Sequence, residues 1–401
     1  MRRTLLASIA LFSIFSCQKS SEPSSVANKP DSVAVPLDTL PKKDTIVPEM
    51  ALSPKNPWFD GIAKLISAVP DTIYTGIREE SAWKSYATRM DSTWKMVADK
   101  RLSPMRNWAK TEYDSVAKLS DTLFYPFSGP DFLNAYTLFP NTKTYFLIAL
   151  EPIGMLPDIS SKDKTKWAAY FKNMQLSLSD VYKKSYFITK RMNEHLGGQH
   201  VYGTLPLMAV FLKQTDHTIS DIKAIQLDSL GNLLELPYDS LAKRTQKRPR
   251  GVKIEFYKNG ESTLRQLYYF SADLGDAALT DRFRFRKFMD RMGSFNAYAK
   301  SASYLMHYDE FSVPRNQILN KAKLLLQDDT GIAFHYVDTK KFDVRLFGQY
   351  VQPVKDFSKY LFQKDLVVRY KQDSSKIKEL PFELGYHWGS KKNNLMLFVR
   401  K

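Results

Sequence analysis

The chain is almost free of cysteine, since Cys17 is the only one among its 401 residues. A lone thiol excludes an intrachain disulfide, a dithiol redox couple and a thiolate metal site. The stability of the fold must therefore come from an apolar core. A hydrophobic content of 43% and an aromatic content of 13% are those of a folded protein rather than a disordered one.

Long apolar stretches are also scarce beyond the N-terminus. The longest, residues 205–212, is much shorter than the roughly 20 residues of a membrane-spanning helix. The sequence contains no G-x-x-x-x-G-K-[ST], no G-x-G-x-x-G, no G-x-S-x-G and no H-E-x-x-H. We therefore expect no cofactor and no metal site, and the motifs alone leave open whether the protein is an enzyme.

The N-terminus has the pattern of an export signal. Arg2 and Arg3 precede a mostly apolar run over residues 5–15, and the run closes with Ile14-Phe15-Ser16-Cys17. Because the run is too short to cross a bilayer in the mature protein, a cleaved signal peptide is favoured. The closing residues resemble the lipobox of bacterial lipoproteins.

This resemblance implies that residues 1–16 are a lipoprotein signal peptide and that Cys17 becomes an acylated N-terminus, carrying fatty acids such as palmitate. The partner of Cys17 is then the lipid bilayer, and the protein belongs to the cell envelope. Gln18 follows Cys17, whereas an aspartate there resembles an inner-membrane retention signal, so the outer membrane is favoured. The alternative is an ordinary cleaved signal with a chance cysteine.

A tether separates this signal from the folded body. Residues 18–57 contain seven of the twenty prolines, eight Ser or Thr, no glycine and no aromatic residue. Such a composition buries too little surface to offset the entropy of ordering. We expect a disordered tether over residues 17–57 and a single large globular body over residues 58–401, with a possible subdivision near residue 215.

The charge is strongly positive, with a formal net value of +17. A basic exported protein meets anionic partners such as an anionic glycan or glycolipid, and no nucleic acid is expected. The densest basic segment, residues 243–250, holds five basic residues in eight. Because it contains Pro249 and lies between predicted hairpins, we interpret it as a solvated loop rather than a dedicated binding patch.

Periodicity divides the body into a helical first half and a stranded second half. Apolar residues between Trp83 and Val97 recur every three or four positions, as on one face of a helix, whereas alternation dominates after about residue 219. The predicted fold class is α+β, with a mixed sheet and β-hairpins in the second half. The predicted strands are 123–127, 145–150, 252–256, 264–270, 322–327, 332–337 and 343–351, the predicted helices include 131–139, 279–292 and 296–306, Asn259-Gly260 is a predicted two-residue turn, and residues 382–400 are a predicted closing hairpin.

Two carboxylates are the leading catalytic candidates. If strands 123–127 and 145–150 are parallel, Asp131 and Glu151 follow them at the same sheet edge, where ligands of open sheets bind. Neighbouring strands are about 4.8 Å apart, which suits the carboxylate pair of a glycosidase. The alternative is a capping box, in which Ser128 caps the helix and Asp131 reaches back to it.

Five residues are weaker binding candidates, and Ser128, which precedes Asp131 at the same edge, is the first of them. His307 and Arg315 are candidates by residue type alone. Asp328 and Asp329 precede Thr330 and Gly331 in a triplet like that of aspartic proteases, but that chemistry needs two copies and the sequence has one. A turn between two strands is therefore the preferred interpretation of this segment.

The segment 125–157 and the segment 327–331 resemble blocks of uncharacterised exported bacterial proteins, a resemblance that implies no activity. The sequence therefore predicts a membrane-anchored lipoprotein that acts as a binding or structural component of the cell envelope. The alternative is a hydrolase that acts on envelope or extracellular polysaccharide through Asp131 and Glu151.

Overall fold

The computed structural model describes residues 52–160, 163–187, 201–242, 250–357, 361–390 and 392–401. The predicted signal peptide, Cys17 and nearly all of the predicted tether lie outside these ranges, as does most of the basic segment 243–250. Within them, no helix combines the length and the apolar character needed to cross a membrane.

Ten strands of the described chain form one mixed sheet. The strands are β1 (Thr122–Pro126), β2 (Thr144–Ala149), β3 (His217–Leu227), β4 (Leu233–Leu236), β5 (Gly251–Lys258), β6 (Arg265–Ser271), β7 (Phe295–Ala299), β8 (Ala322–Gln327), β9 (Phe342–Gly348) and β10 (Asn394–Arg400). Their order across the sheet is β4-β3-β5-β6-β2-β1-β7-β8-β10-β9.

The five central strands, β6, β2, β1, β7 and β8, run parallel to one another. The strands outside them pair in antiparallel fashion. In the β1–β2 register, Thr122 lies opposite Thr144 and Tyr125 lies opposite Leu147. Because all five central strands end on the same side, the residues that follow them meet at one carboxyl edge.

Helices cover both faces of the sheet. The described residues contain twelve α-helices: α1 (Pro57–Ile66), α2 (Thr75–Arg78), α3 (Ser81–Val97), α4 (Ser103–Glu112), α5 (Asp114–Ala117), α6 (Phe132–Leu138), α7 (Lys164–Lys184), α8 (Leu205–Gln214), α9 (Asp276–Asp281), α10 (Phe283–Arg291), α11 (Ser312–Lys321) and α12 (Lys364–Gln372). The core on one face contains residues of α1, α3, α4, α6, α7 and α8, and the core on the other contains residues of α9 to α12.

Alternate residues of the central strands enter these two cores. In β1, Tyr125 belongs to the first core and Phe124 to the second, and in β2, Leu147 and Ile148 divide in the same way. A strand covered on both faces needs an almost continuous apolar sequence. This is why β1 and β2 are short apolar runs rather than alternating ones.

The end of α7 places a hydrogen-bond acceptor at the carboxyl edge of the sheet. Asp163 caps the start of this helix by accepting hydrogen bonds from the backbone N–H groups of Thr165 and Lys166. Ser185 ends it in the left-handed conformation, with φ of 64°. Its carbonyl oxygen is thereby turned toward the carboxyl edge, where it accepts hydrogen bonds from the side chains of Asn134 and Lys300.

The structure confirms the α+β class, and several predicted elements match closely. Strands β1, β2 and β8, helix α6 and the antiparallel pairing of β5 with β6 lie where the sequence placed them. The predicted helix 279–292 is divided into α9 and α10. The sheet joins strands from both sides of residue 215, and the chain from Glu49 onward forms one compact unit.

Four local predictions were wrong. The predicted helix 296–306 begins as strand β7 and becomes a 3₁₀ helix only at Ser301–His307. Periodicity cannot identify so short a strand when it is buried on both faces. The predicted strand 332–337 is a 3₁₀ turn at Phe334–Tyr336. Asn259 and Gly260 do form the centre of a turn, in which Glu261 N–H donates to the Lys258 carbonyl oxygen, but the connection between β5 and β6 has six residues rather than the two predicted.

The predicted closing hairpin 382–400 contains one strand, β10, which inserts between β8 and β9. The preceding residues form a 3₁₀ turn at Gly385–His387 that packs over the carboxyl edge. The division into a helical first half and a stranded second half is roughly confirmed, although β1 and β2 come from the first half and lie at the centre of the sheet.

Candidate functional site

A cleft of about 380 Å³ opens at the carboxyl edge of the parallel strands. It receives residues from the loops after β1, β2, β6 and β7, and we name it the carboxyl-edge cleft. Its aromatic walls are Phe127, Tyr186, Phe187, Tyr304, Phe311 and Tyr386, and its polar lining residues are Ser128, Glu151, Asp273, Lys300 and Ser301, with the ring of Tyr125 at its base.

Asp131 has a structural role beneath this cleft. Its carboxylate caps α6 by accepting the backbone N–H of Asn134, and it also accepts the hydroxyl of Tyr125 at 3.0 Å. Lys300 Nζ lies 3.0 Å from Asp131 Oδ2, and both side chains are almost fully buried. A carboxylate held by a buried cation and by its own helix is not available as a general acid.

Ser128 does not cap α6, contrary to the capping box considered from the sequence. Its hydroxyl instead donates to the carbonyl oxygens of Gly129 and Ile148, and Asp131 is the N-cap residue. Ser128 and Glu151 both line the cleft, and Glu151 is largely buried there. The structure thus brings Ser128 and Glu151 to the predicted edge, but the Asp131–Glu151 pair is not supported as an acid–base couple.

A second buried cation lies near Asp131. Arg101 donates a hydrogen bond from Nη1 to the carbonyl oxygen of Tyr182, and its guanidinium is almost fully buried. Burial lowers the pKa of Arg101 to about 10, although the negative charge of Asp131 opposes this shift. Asp131 is therefore compensated by both Lys300 and Arg101 in a region of low dielectric.

Ser301, which the sequence reasoning missed, stands directly after β7 at the entrance to a 3₁₀ helix. Its backbone φ is +57°, a left-handed value that is unfavourable for a residue with a Cβ atom. The residue lines the cleft, and its buried Oγ has no hydrogen-bond partner among the described residues. The sequence pattern that could have indicated this residue is Ala299-x-Ser301-x-Ser303, because a small residue two positions before and two positions after a serine is typical of a tight strand-to-helix turn.

Asp328 follows β8, the neighbour of β7, and only one of its carboxylate oxygens is hydrogen-bonded. Oδ1 accepts the backbone N–H and the hydroxyl of Thr330, whereas Oδ2 has no partner within the described chain. Burial, followed by the charge of Asp329, raises the pKa of Asp328 from 3.8 to about 7, against the hydrogen bonds from Thr330. At neutral pH this carboxyl can therefore both release and accept a proton.

Gly385 brings the unpaired oxygens of Ser301 and Asp328 together. A Cβ atom on Gly385 would lie 2.5 Å from Asp328 Oδ2 and 3.7 Å from Ser301 Oγ, so both oxygens lie close to this glycine, although they are not hydrogen-bonded to each other. Gly385 has φ of +62° and donates its N–H to Ser185 Oγ at 2.9 Å. Glycine is required here by both the backbone conformation and the close approach.

Asp329 fixes this turn to the sheet. Its Oδ1 lies 2.9 Å from His387 Nε2 and accepts a hydrogen bond from Asn394 Nδ2 at the same distance. Burial opposes the protonation of His387, but the hydrogen bond and charge of Asp329, with the charge of Asp328, outweigh it and raise the histidine pKa. The segment 328–331 is a turn, as predicted, with Gly331 N–H donating to the Asp328 carbonyl oxygen.

His307 and Arg315 lie behind the cleft and are not among its lining residues in the described chain. Burial lowers the pKa of His307 to about 4, so its imidazole is neutral at pH 7. Arg315 donates from Nη1 to the carbonyl oxygens of Met306 and Tyr308, each at 3.0 Å, and stacks on the ring of Tyr336. Arg315 thus supports the end of the 3₁₀ helix that begins at Ser301.

A second cavity, of about 540 Å³, adjoins α10 and the outer strands β3 and β5. Arg250, Arg282 and Arg284 line it with exposed side chains, together with one acidic residue, Asp281. Its apolar lining residues are Ile225, Leu227, Phe270, Ala272, Phe283 and Phe285. We name it the basic cavity, and Ala272 lines both it and the carboxyl-edge cleft.

The charge of α10 extends the basic cavity along the surface. From Arg282 to Arg291 there are five basic residues and one acidic residue, Asp290, which pairs with Arg286 at 3.0 Å. Arg284 donates to the carbonyl oxygen of Leu227 at 3.4 Å, which holds its guanidinium over the strand edge. The arrangement presents guanidinium groups beside an apolar floor, which suits an anionic ligand with an apolar part.

Comparisons with protein-family models, curated proteins and solved structures found no match to this chain.

Proposed function

We propose that this chain is an exported lipoprotein, anchored through acylated Cys17, whose folded body binds an anionic glycan of the cell envelope, free or as the headgroup of a glycolipid. The observation that carries the binding proposal is the basic cavity, in which three exposed guanidinium groups surround an apolar floor. The anchor is supported by the lipobox-like ending at Cys17.

The cavity meets the physical requirements of such a ligand. Arginine binds carboxylate or phosphate groups through two parallel hydrogen bonds, and its planar group also packs on apolar and aromatic surfaces. Phe283 is exposed beside Arg284, whose guanidinium lies 6.0 Å from the centroid of the Phe283 ring, and the buried Phe270 forms part of the apolar floor. The charged part of a glycan can therefore bind the arginines while its sugar rings contact the aromatic side chains.

The electrostatics of the whole chain favour the same partner. A formal net charge of +17 attracts polyanions and raises their association rate, an effect that salt screens over about 8 Å at physiological ionic strength. Binding should consequently weaken as salt is added. A neutral polysaccharide should bind poorly at any salt concentration.

The binding test compares two variants that lose the same charge. Arg282→Gln with Arg284→Gln alters the basic cavity, whereas Lys95→Gln with Lys118→Gln alters α3 and the residue after α5, on the other side of the molecule. We expect the first pair to weaken binding of a phosphorylated or uronate-rich oligosaccharide at least tenfold. The second pair should weaken it less than twofold.

Two results would contradict the binding proposal: equal losses in both variants, or binding of the wild type that does not change between 50 and 500 mM salt, concentrations that alter the screening length about threefold. Soluble oligosaccharide and vesicles that carry an anionic glycolipid are measured in parallel. Binding to the vesicles alone identifies the glycolipid headgroup as the ligand, and binding to both identifies the glycan itself.

The anchor is tested independently of the cavity. Cys17→Ser removes the acylated sulfur, so the exported protein should move from the membrane fraction to the soluble fraction, and metabolic labelling with palmitate should cease. Persistent membrane association of this variant would refute lipid anchoring. Since the cavity arginines are unchanged, its oligosaccharide binding should remain that of the wild type.

A further inference from the structure

Three unfavourable features coincide at the ends of β7 and β8. Ser301 has a left-handed backbone, its buried hydroxyl lacks a partner in the described chain, and so does Oδ2 of buried Asp328. An unpaired buried polar atom destabilises the folded state, and so does a left-handed backbone at a residue with a Cβ atom. Natural structures retain such costs chiefly at functional sites.

The geometry of Ser301 is that of a nucleophile on a strand-to-helix turn. Such a turn is tight, so the residues two positions before and after the serine must be small. Ala299 and Ser303 occupy these positions, and both are completely buried. The strained turn aims the serine at the carboxyl edge, where Ser301 lines a cleft with aromatic walls.

Asp328 is the candidate base, because its unpaired Oδ2 and Ser301 Oγ both lie close to Gly385, at 2.5 Å and 3.7 Å from the position of an added Cβ atom. The two oxygens are not hydrogen-bonded to each other, and hydrogen bonds between a nucleophile and its base are often absent or long before a substrate binds. Both oxygens are buried under the Gly385 turn, so the proposed reaction requires this turn to move when a substrate binds.

We propose that Ser301 is the nucleophile, and Asp328 the general base, of a centre that hydrolyses neutral carboxylic esters, with the acyl or alcohol part held in the carboxyl-edge cleft. This activity goes beyond binding at the basic cavity and uses none of its arginines. The cleft walls, rich in Tyr and Phe, suit an acyl group or an esterified sugar ring.

The reaction proceeds in two balanced halves. Ser301 Oγ attacks the ester carbonyl carbon while its proton passes to the Asp328 carboxylate, and the C–O bond to the alcohol breaks as the alcohol takes that proton. Water then gives a proton to Asp328 and attacks the acyl carbon, and Ser301 leaves with the proton. The net change is ester plus water to acid plus alcohol.

The protonation of Asp328 sets the pH dependence. The charged and titratable groups that act on Asp328 or lie around it are Asp329, His387, Tyr125, Tyr298 and Tyr386. Because the base must be ionised and its pKa is raised to about 7, turnover should increase as pH rises through about 7. This increase should be absent in Asp328→Asn.

The test uses the purified full chain, a biotinylated fluorophosphonate probe, and p-nitrophenyl acetate and butyrate as substrates. We expect one adduct per chain, located on Ser301 by peptide mass spectrometry, and measurable ester turnover. Ser301→Ala should lose both the adduct and the turnover. Ser303→Ala, which alters a buried serine of the same 3₁₀ helix that donates to the Pro126 carbonyl oxygen, should keep both.

Asp328→Asn should keep Ser301 as the labelled residue but slow turnover about 100-fold or more, as expected for the loss of a general base. An adduct on another residue, or neither labelling nor turnover in folded wild-type protein, would overturn the proposal. Circular dichroism and cooperative urea unfolding of the same preparation report that the protein is folded, independently of any ligand. Failure of the esterase centre thus leaves the basic cavity proposal standing, and the reverse also holds.

Discussion

The carboxyl-edge cleft and the basic cavity meet at Ala272, yet they carry charge in opposite ways. Beneath the cleft, Lys300 and Asp131 are 2% and 1% exposed and contact each other directly. Around the basic cavity, Arg282 and Arg284 are exposed. One region holds a small number of buried groups in fixed geometry, and the other carries its charges on exposed side chains at the surface.

This difference separates two contributions to function. Buried charges are costly to desolvate, so each must be compensated, and their positions become rigid. Exposed charges cost little and contribute mainly through their summed field. The cleft is therefore suited to chemistry at fixed atoms, whereas the basic cavity is suited to attracting and holding an anion. Substitutions should reveal the contrast as a large loss of stability in one region and almost none in the other.

The largest effect is expected from Lys300→Met. This change leaves the Asp131 carboxylate buried beside Arg101 alone, and breaking a buried pair typically costs about 3–5 kcal/mol. The free energy of unfolding, measured by urea denaturation, should fall by that amount. Adding Asp131→Asn should restore much of it, because asparagine is uncharged and caps a helix equally well. A loss below 1 kcal/mol in the single variant would show that Arg101 suffices to compensate Asp131.

A smaller effect is expected from Gly385→Ala, with Gly389→Ala as the matched control. Both glycines have positive φ, of 62° and 76°, so the backbone cost is common to the two variants. At Gly385 the new methyl group would meet Asp328 Oδ2 at 2.5 Å, whereas at Gly389 nothing lies within 4 Å. Gly385→Ala should lower the free energy of unfolding, measured by urea denaturation, by about 1–3 kcal/mol more than Gly389→Ala does. Equal costs would mean that Asp328 moves freely and is not held in a fixed geometry.

The smallest effect on stability is expected from the arginine pair of the basic cavity. Arg282→Gln with Arg284→Gln should change the free energy of unfolding by no more than about 0.5 kcal/mol, because exposed side chains away from caps and cores contribute little. Urea unfolding of this double variant measures the change. A loss comparable to that of Lys300→Met would remove the distinction between the two regions.

Local patterns were sufficient to predict two strands at the centre of the sheet. The apolar runs of β1 and β2, with α6 between them, predicted the strands, and the parallel pairing on which the shared carboxyl edge depended is present. The same reasoning failed at β7, because Phe295–Ala299 is short and buried on both faces, a pattern that does not distinguish strand from helix. It also missed the insertion of β10 between β8 and β9, which depends on pairing distant in the sequence.

The sequence predicted where the candidate site lies in the fold, but not most of the residues and contacts that form it. Residues after β1 and β2 indicated the correct edge, and Ser128 and Glu151 do line the cleft there. The ion pair between Asp131 and Lys300 could not be predicted from the sequence, because it joins residues that follow two strands far apart in the chain. Ser301 was not predicted because the G-x-S-x-G pattern has a glycine two positions before and two positions after the serine. Ala299 and Ser303 occupy these positions here, and both are small enough for a tight turn.

The pairing of β1 has a consequence for the order of events during synthesis. Leu123 pairs with Tyr145 on one side but with Asn296 on the other, so the parallel core stays incomplete until most of the chain has been made. Contacts this distant in sequence slow folding and leave strand edges exposed to aggregation in the meantime. On the proposed export route the acylated Cys17 holds the N-terminus at the membrane, so any part of the sheet that pairs after acylation does so in a chain already tethered to a surface.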